Sequence, residues 1–251
     1  MAAADPVRHE IPSPDGALPG LLWLPDASSS EAPVPGLVVL QEIFGLSEYV
    51  RSRCADLAEL GYAVLAPQLY ARLDPPVESL EDDTDDLLGT AMGLVGRLDW
   101  DLAVRDGLAA RDALAGLPEV LEERVGLVGF CFGGGLAFNV AASAAQAQVP
   151  AAALVSFYGS ALPGLLDLAG LVECPSLHVF GSNDTYIPMD QVERIRAAVT
   201  ADGTRRQVRF EVHEGAGHAF DNPNPMFHHH AASGAAWTQT EEFLADVLPT
   251  R

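Results

Sequence analysis

The chain has 251 residues, a length that suits one α/β domain, and its composition of 49% hydrophobic and 20% charged residues excludes a disordered protein. The net charge is −21, and all 14 basic residues are arginine. A surface this negative repels phosphate backbones and anionic lipids, so we expect neither nucleic acid nor membrane as a partner.

The cysteines and the N-terminus indicate the compartment. Cys54, Cys131 and Cys174 form no C-x-x-C motif and cannot all pair with one another, so we expect neither a disulfide framework nor a zinc site. The first 25 residues lack the basic and apolar regions of a secretory signal, and no apolar stretch is long enough to span a bilayer. We therefore expect a cytoplasmic protein, either a monomer or a small homo-oligomer.

Strand patterns begin with an N-terminal β-hairpin, in which the turn residues PSPDG separate VRHEI from GALPGLLWLP. After the loop at 26–36, six short apolar runs are typical of strands buried on both faces of a parallel sheet. These runs are GLVVLQ, YAVLAP, RVGLVGF, AALVSFY, SLHVFG and QVRFEVH.

Helical patterns alternate with these strands. The stretch SEYVRSRCADLAELG begins at Ser47 as an N-cap and ends at Gly61, and three others are DWDLAVRDGLAARDALAGL, MDQVERIRAAVTADG and AAWTQTEEFLADVL. The alternation predicts a doubly wound, mostly parallel sheet with helices on both faces, in a single domain over residues 1–251. The acidic segment 74–99 is less periodic and fits either a helical cap or a mobile excursion.

A cysteine follows the third of these apolar runs. The sequence GFCFGG places Cys131 between Gly129 and Gly133, at a strand-to-helix turn. This G-x-C-x-G pattern is that of the nucleophile elbow of α/β-hydrolases, with cysteine in place of serine. A helix N-terminus also favours the thiolate. The alternative interpretation is a small buried hydrophobic side chain.

An acid and a histidine follow in the order that this fold requires. Asp184 lies in the loop after SLHVFG, and His218 lies in the Gly-rich loop after QVRFEVH. Both would lie at the carboxyl ends of strands, where open α/β sheets place their sites. His218 would act as the general base and acid, and Asp184 would orient its imidazole.

Other interpretations of these residues remain open. Asp184 could simply be a turn residue, and His213, at the edge of its strand, is a rival to His218. The contiguous histidines 228–230 point in different directions and do not predict a metal site. Asp190 fits the first turn of a helix. We therefore expect no metal and no cofactor.

A further motif precedes the cysteine. The run GLVVLQEIFGL is a buried strand that ends at Glu42. In an α/β-hydrolase, the loop after this strand and the residue after the nucleophile supply oxyanion-hole N–H groups, which here would be Ile43 and Phe132. Glu42 would then lie beside the thiol, although an exposed loop glutamate is the alternative.

With these motifs, the chain resembles the dienelactone hydrolase family of α/β-hydrolases. The resemblance extends from about residue 34 to the end, and its pieces are QEIFGL, LAPQLYAR, GLVGFCFGG, SFYG, GSNDTYIP and EGAGHAF. It implies a Cys131–His218–Asp184 triad, with Glu42 contacting the resting thiol and helping to activate it. It also implies hydrolysis of an activated ester, typically an enol-lactone, through an acyl-cysteine.

The chain departs from the family at the arginines that hold a substrate carboxylate. Asp221 and Asn222 replace a basic residue after His218, and the segment 74–96 has no arginine. We expect Phe44, Arg72 and Tyr158 to line the pocket, and an electronegative pocket mouth that favours neutral small-molecule esters or lactones. The alternatives are thioester or peptide-like substrates on the same triad, or a non-catalytic binding protein.

Overall fold

The structure is a computed structural model that describes residues 5–80 and 86–250. The chain divides into two compact units, one of residues 1–126 and 250–251 and the other of residues 127–249. The expectation of a single domain over residues 1–251 stays a prediction.

The first unit contains the predicted hairpin and the first parallel strands. The order is β1-β2-β4-β3-β5, in which β2 runs antiparallel to β1 and β4, and β3 is parallel to β4. The strands are β1 Val7–Ile11, β2 Leu18–Trp23, β3 Val34–Leu40 and β4 Ala63–Pro67, followed by β5 Val120–Phe130, which ends in the second unit.

Three helices accompany these strands: α1 Glu48–Glu59, α2 Leu87–Val95 and α3 Trp100–Ala115. The side chain of Ser47 accepts the Val50 N–H and caps α1 as predicted. Both α1 and α3 contact β4, whose residues are all buried, so helices cover both faces of this strand. The acidic segment contributes α2, and its residues 81–85 lie outside the described part.

The second unit has a purely parallel arrangement in the order β5-β6-β7-β8. The strands that follow β5 are β6 Leu154–Phe157, β7 Ser176–Gly181 and β8 Val208–His213. The helices are α4 Phe132–Gln146, α5 Met189–Thr200 and α6 His230–Val247. The carboxyl ends of all four strands therefore lie at one edge.

The predicted fold class is confirmed, because the strands are mostly parallel and alternate with helices. Two predictions differ in detail. The residues of β8 are only half-buried, since β8 is the last strand in the order, and α6 begins at His230, earlier than its apolar pattern indicated. None of the helices in the described residues has the length and apolar character that crossing a bilayer requires.

Candidate active site

Cys131 occupies a tight turn between β5 and α4. Its backbone N–H donates to the Phe157 carbonyl at 3.0 Å, and its φ is 54°, a left-handed value that is rare outside glycine. The turn needs glycine at position 129, because a Cβ there would collide with the carbonyl oxygen of Gly133. The result is a buried thiol at the N-cap of α4, where the helix dipole favours an anion.

Asp184 lies in the loop that follows β7. Its Oδ1 accepts the N–H groups of Tyr186 at 2.8 Å and Ile187 at 3.0 Å, while its Oδ2 accepts Nδ1–H of His218 at 2.7 Å. The carboxylate has no exposed surface. These three bonds satisfy a buried charge and fix its orientation.

His218 joins this carboxylate to the thiol. The second ring nitrogen, Nε2, lies 3.2 Å from Cys131 Sγ. Burial by itself lowers the pKa of His218, but the hydrogen bonds and charges of Asp184 and Cys131 outweigh it and raise the pKa to about 10. The raised pKa favours the protonated imidazole, whose Nε2–H can donate to the sulfur of Cys131.

The other histidines that sequence analysis considered lie elsewhere. His213 ends β8 beside the ring of Phe220, at a centroid distance of 5.4 Å, and burial lowers its pKa. His229 uses its Nδ1 to accept the Ala232 N–H, which caps α6. Asp184 and Cys131 are both hydrogen-bonded to the ring of His218, so the geometry favours His218 over His213.

Two tyrosines flank the imidazole of His218. The ring of Tyr158 is fully buried and lies 5.3 Å from it in an edge-on arrangement, and Tyr158 itself has a strained φ of 36°. The ring of Tyr186 lies 5.1 Å away and is 56% exposed. Tyr158 was predicted from the sequence as a pocket residue, and Tyr186 was not. The only sequence signal of Tyr186 is its position two residues after Asp184.

The loop after β3 belongs to the first unit and has its own contacts. Glu42 is 1% exposed, so the alternative of an exposed loop glutamate is wrong. Its Oε1 accepts the hydroxyl of Ser47 at 3.3 Å. The carbonyl of Ile43 accepts the Tyr70 hydroxyl at 2.6 Å, and Phe44 is buried.

Arg72 has a structural role in place of the predicted substrate contact. Its Nε and NH2 donate to the two carboxylate oxygens of Asp106 at 2.9 and 2.6 Å. The guanidinium also donates to the carbonyls of Asp15 at 3.0 Å and Gly16 at 2.9 Å. These bonds occupy the guanidinium and argue against a substrate contact, while the expectation that Arg72 lines the pocket stays a prediction.

Asp221 is also placed differently from the expectation. It is 1% exposed, and its Oδ1 accepts the hydroxyl of Ser233 at 2.7 Å. The expectation that it adds negative charge to an exposed pocket mouth is therefore wrong, because the loop folds back onto α6. The expected electronegative pocket mouth also included the acidic segment 74–96. Residues 81–85 of that segment lie outside the described residues.

The two remaining cysteines differ from Cys131 in their surroundings. Burial raises the pKa of the Cys54 thiol far above its ordinary value, and burial raises that of Cys174 to about 11. Both therefore remain protonated at neutral pH. Selective reaction at Cys131 is expected from this contrast.

Comparison with known proteins identifies the family of this chain. The model of the dienelactone hydrolase family matches residues 18–248. Carboxymethylenebutenolidase from Pseudomonas putida is 32% identical over 220 residues, which cover 88% of this chain and 89% of that protein.

Solved structures that are similar to this chain include dienelactone hydrolases. A dienelactone hydrolase-like promiscuous phosphotriesterase from metagenomic libraries is 26% identical, with a TM-score of 0.77 over 97% of this chain and 99% of that chain. Dienelactone hydrolase from Anabaena variabilis, at 21% identity and a TM-score of 0.63, covers 98% of this chain and 100% of its own and supports the fold alone. The chain thus belongs to the dienelactone hydrolase family and is a hydrolase.

Proposed function

We propose that this protein hydrolyses small, neutral esters or lactones by nucleophilic catalysis at Cys131. One observation supports the proposal above all others: His218 is hydrogen-bonded to Cys131 Sγ at 3.2 Å and to Asp184 Oδ2 at 2.7 Å. A nucleophile, a base and an orienting acid in this series are the parts that acyl transfer needs. The carboxymethylenebutenolidase activity named for the Pseudomonas relative supports lactones as one substrate class.

In the first half of the proposed reaction the enzyme is acylated. The thiolate of Cys131 attacks the carbonyl carbon, an S–C bond forms, and the carbonyl oxygen becomes an oxyanion. The N–H of Phe132, in the first turn of α4, donates to this oxyanion. When the C–O bond to the leaving group breaks, His218 gives its Nε2 proton to the departing oxygen.

In the second half the acyl-cysteine is hydrolysed. The neutral His218 takes a proton from a water molecule, and the water oxygen attacks the thioester carbon. The C–S bond then breaks, the carboxylic acid leaves, and the thiolate and imidazolium are restored. Asp184 holds the ring and stabilises its cation throughout. The roles expected for Glu42 and Ile43 stay predictions.

We expect a preference for neutral substrates because the protein carries a large negative net charge. Arg72 is engaged with Asp106, and the net charge of the chain is −21. A substrate carboxylate therefore meets an unfavourable potential. We expect a higher kcat/KM for the methyl ester of a dienelactone than for its free acid, and the reverse order would contradict this part of the proposal.

The test is a panel of lactones, dienelactones, p-nitrophenyl esters and thioesters, assayed on the wild type and on Cys131→Ala. We expect Cys131→Ala to lose about 10³-fold or more in kcat on the best substrate. Cys174→Ala is the matched control and should retain activity. Mass spectrometry of quenched wild-type enzyme should find the acyl group on Cys131, and an alanine variant with comparable activity would refute the mechanism.

We also propose the cytoplasm as the compartment and a small molecule as the partner. The three cysteines are free, which suits a reducing environment. Fractionation of the native cell with detection of this protein would test the compartment, and recovery in an extracellular fraction would contradict it.

A further inference from the structure

The residues that follow His218 fold back onto the start of α6. The N–H of Asn222 donates to the carbonyl of Ala219 at 2.9 Å and closes a four-residue turn, and the N–H of His229 donates to the carbonyl of Phe220 at 3.0 Å. Ala219 has a φ of 55°. A residue with a Cβ does not favour this left-handed conformation, so the turn keeps its shape through its surrounding contacts.

A buried side-chain hydrogen bond joins this turn to the helix. The hydroxyl of Ser233 donates to Asp221 Oδ1 at 2.7 Å, and the two residues are 7% and 1% exposed. Ser233 belongs to the first turn of α6, where its N–H donates to the carbonyl of His229 at 2.9 Å. The start of the helix therefore contacts the turn through a side-chain bond from Ser233 to Asp221 and through a main-chain bond from His229 to Phe220.

We propose that Asp221 and Ser233 are positioning residues that hold the imidazole of His218 in line with Cys131 and Asp184. The inference rests on the proposed function, because it assigns His218 the role of catalytic base. Only two residues separate His218 from Asp221, so a change at Asp221 reaches the imidazole through the strained turn at Ala219. A displacement of about 1 Å in a catalytic group is sufficient to lower a rate by about 100-fold.

The bond acts through geometry and not through the charge of Asp221. The groups that raise the pKa of His218 are Asp184 and Cys131. An asparagine at position 221 keeps an Oδ1 acceptor for Ser233 without the negative charge, so Asp221→Asn should preserve the position of the ring. An alanine at either position removes the bond.

The test compares Asp221→Ala, Ser233→Ala and Asp221→Asn with the wild type. We expect both alanine variants to lose about 10-fold to 100-fold in kcat with little change in KM, and Asp221→Asn to remain within about 3-fold of the wild type. Because both alanine changes break the same bond, the double variant should be no worse than the poorer single variant. Thr240→Val is the control, since Thr240 bonds within α6 to the Ala236 carbonyl.

Alkylation of Cys131 by iodoacetamide supplies a second readout that needs no substrate. An imidazole displaced from the sulfur no longer stabilises the thiolate, so the alanine variants should alkylate more slowly at neutral pH and need higher pH to reach the wild-type rate. Loss of a hydrogen bond elsewhere in α6, as in Thr240→Val, should leave this pH profile unchanged. The readout separates failure of this inference from failure of the proposed function.

The following results would contradict the positioning role of Asp221 and Ser233. Alanine variants with wild-type kcat and a wild-type alkylation profile would overturn the inference, even if they unfold at a lower temperature. Loss of activity in Asp221→Asn equal to that in Asp221→Ala would overturn the geometric role. If Asp221→Ala does not fold, Ser233→Ala decides the question, because alanine favours a helix.

Discussion

The protonation of His218 depends on the two side chains that contact its ring. Burial opposes the imidazolium, and the hydrogen bonds to Asp184 and Cys131 more than compensate for it, which gives a pKa of about 10. The residue is 87 positions from Cys131 along the chain and 34 from Asp184. Its charge at neutral pH is therefore a product of the fold and not of its local sequence.

Substitution of His218 and substitution of Asp184 should reduce activity unequally. We expect His218→Ala to lower kcat/KM by about 10³-fold or more and Asp184→Asn to lower it by less, because the acid acts through the histidine. Steady-state kinetics on the best ester of the panel measures both. His213→Ala is the matched control, and a severe loss there with an active His218→Ala would mean that His213 is the base.

The sequence pattern predicts that three residues of the candidate site lie together, because each one follows a strand. Cys131, Asp184 and His218 all come directly after apolar runs, and parallel strands bring such positions to one edge. Contacts that depend on a folded loop cannot be predicted from apolar runs in the sequence. The turn of Asp221 onto Ser233 and the engagement of Arg72 with Asp106 join residues that no local pattern connects.

At the scale of one strand, β7 contains a buried histidine that should make stability depend on pH. His178 is fully buried between the rings of Phe138 and Phe210, with its Nε2 3.2 Å from Ser176 Oγ. Burial lowers its pKa from 6.5 to about 4. Between pH 6.5 and about pH 4, His178 binds a proton more readily in the unfolded chain than in the folded chain. The free energy of unfolding therefore falls as the pH falls.

The expected loss of unfolding free energy from His178 is on the order of 3 kcal/mol between about pH 6.5 and pH 4. Urea unfolding of the wild type and of His178→Gln across this range measures it, and the variant should show a flatter dependence on pH. Exposed His228→Gln is the control and should follow the wild type. Parallel curves for His178→Gln and the wild type would show that His178 is not responsible.

Arg72 joins the turn of the β1–β2 hairpin to α3, because its guanidinium donates to the carbonyls of Asp15 and Gly16 and forms an ion pair with Asp106 of α3. The carboxylate of Asp106 has no exposed surface, and the side chain of Arg72 is 17% exposed. Removal of the arginine would leave a buried charge without its counter-ion. We expect Arg72→Ala to lower the free energy of unfolding by about 3 kcal/mol.

Arg105→Ala is the matched control for this change. Arg105 pairs with Asp15 at 2.7 Å, but the side chains are 48% and 34% exposed. An exposed pair of this kind contributes less than about 1 kcal/mol. Equal losses in the two variants, measured by urea unfolding, would contradict the structural role given to Arg72.

The elements themselves were predictable to different degrees. The parallel strands and α1 follow from apolar runs and the Ser47 cap, which are local properties. The start of α6 was missed because His229 caps it, and histidine is not a usual capping residue. The half-burial of β8 depends on its place in the sheet, which a single run does not reveal.

For the whole molecule, the dominant electrostatic property is its net charge of −21. Repulsion among exposed carboxylates opposes the compact state, and salt screens it, since the Debye length falls from about 10 Å at 0.1 M to about 3 Å at 1 M. We expect sodium chloride over this range to raise the melting temperature by about 2–4 °C, or ~1 kcal/mol. This rise in melting temperature should vanish at a pH near the isoelectric point of about 4.4. A melting temperature that falls with added salt at pH 7 would contradict the prediction.

The long separations in sequence between Cys131, Asp184 and His218 have a consequence for refolding. Non-local contacts form late, because the intervening loops must close before parallel strands can pair. We expect the helical circular dichroism of denatured protein to recover first and the fast alkylation of Cys131 to recover afterwards. Simultaneous recovery would mean that the thiol environment forms with the helices. Alkylation kinetics at Cys131 should thus report the final stage of assembly of the second unit, with no added probe.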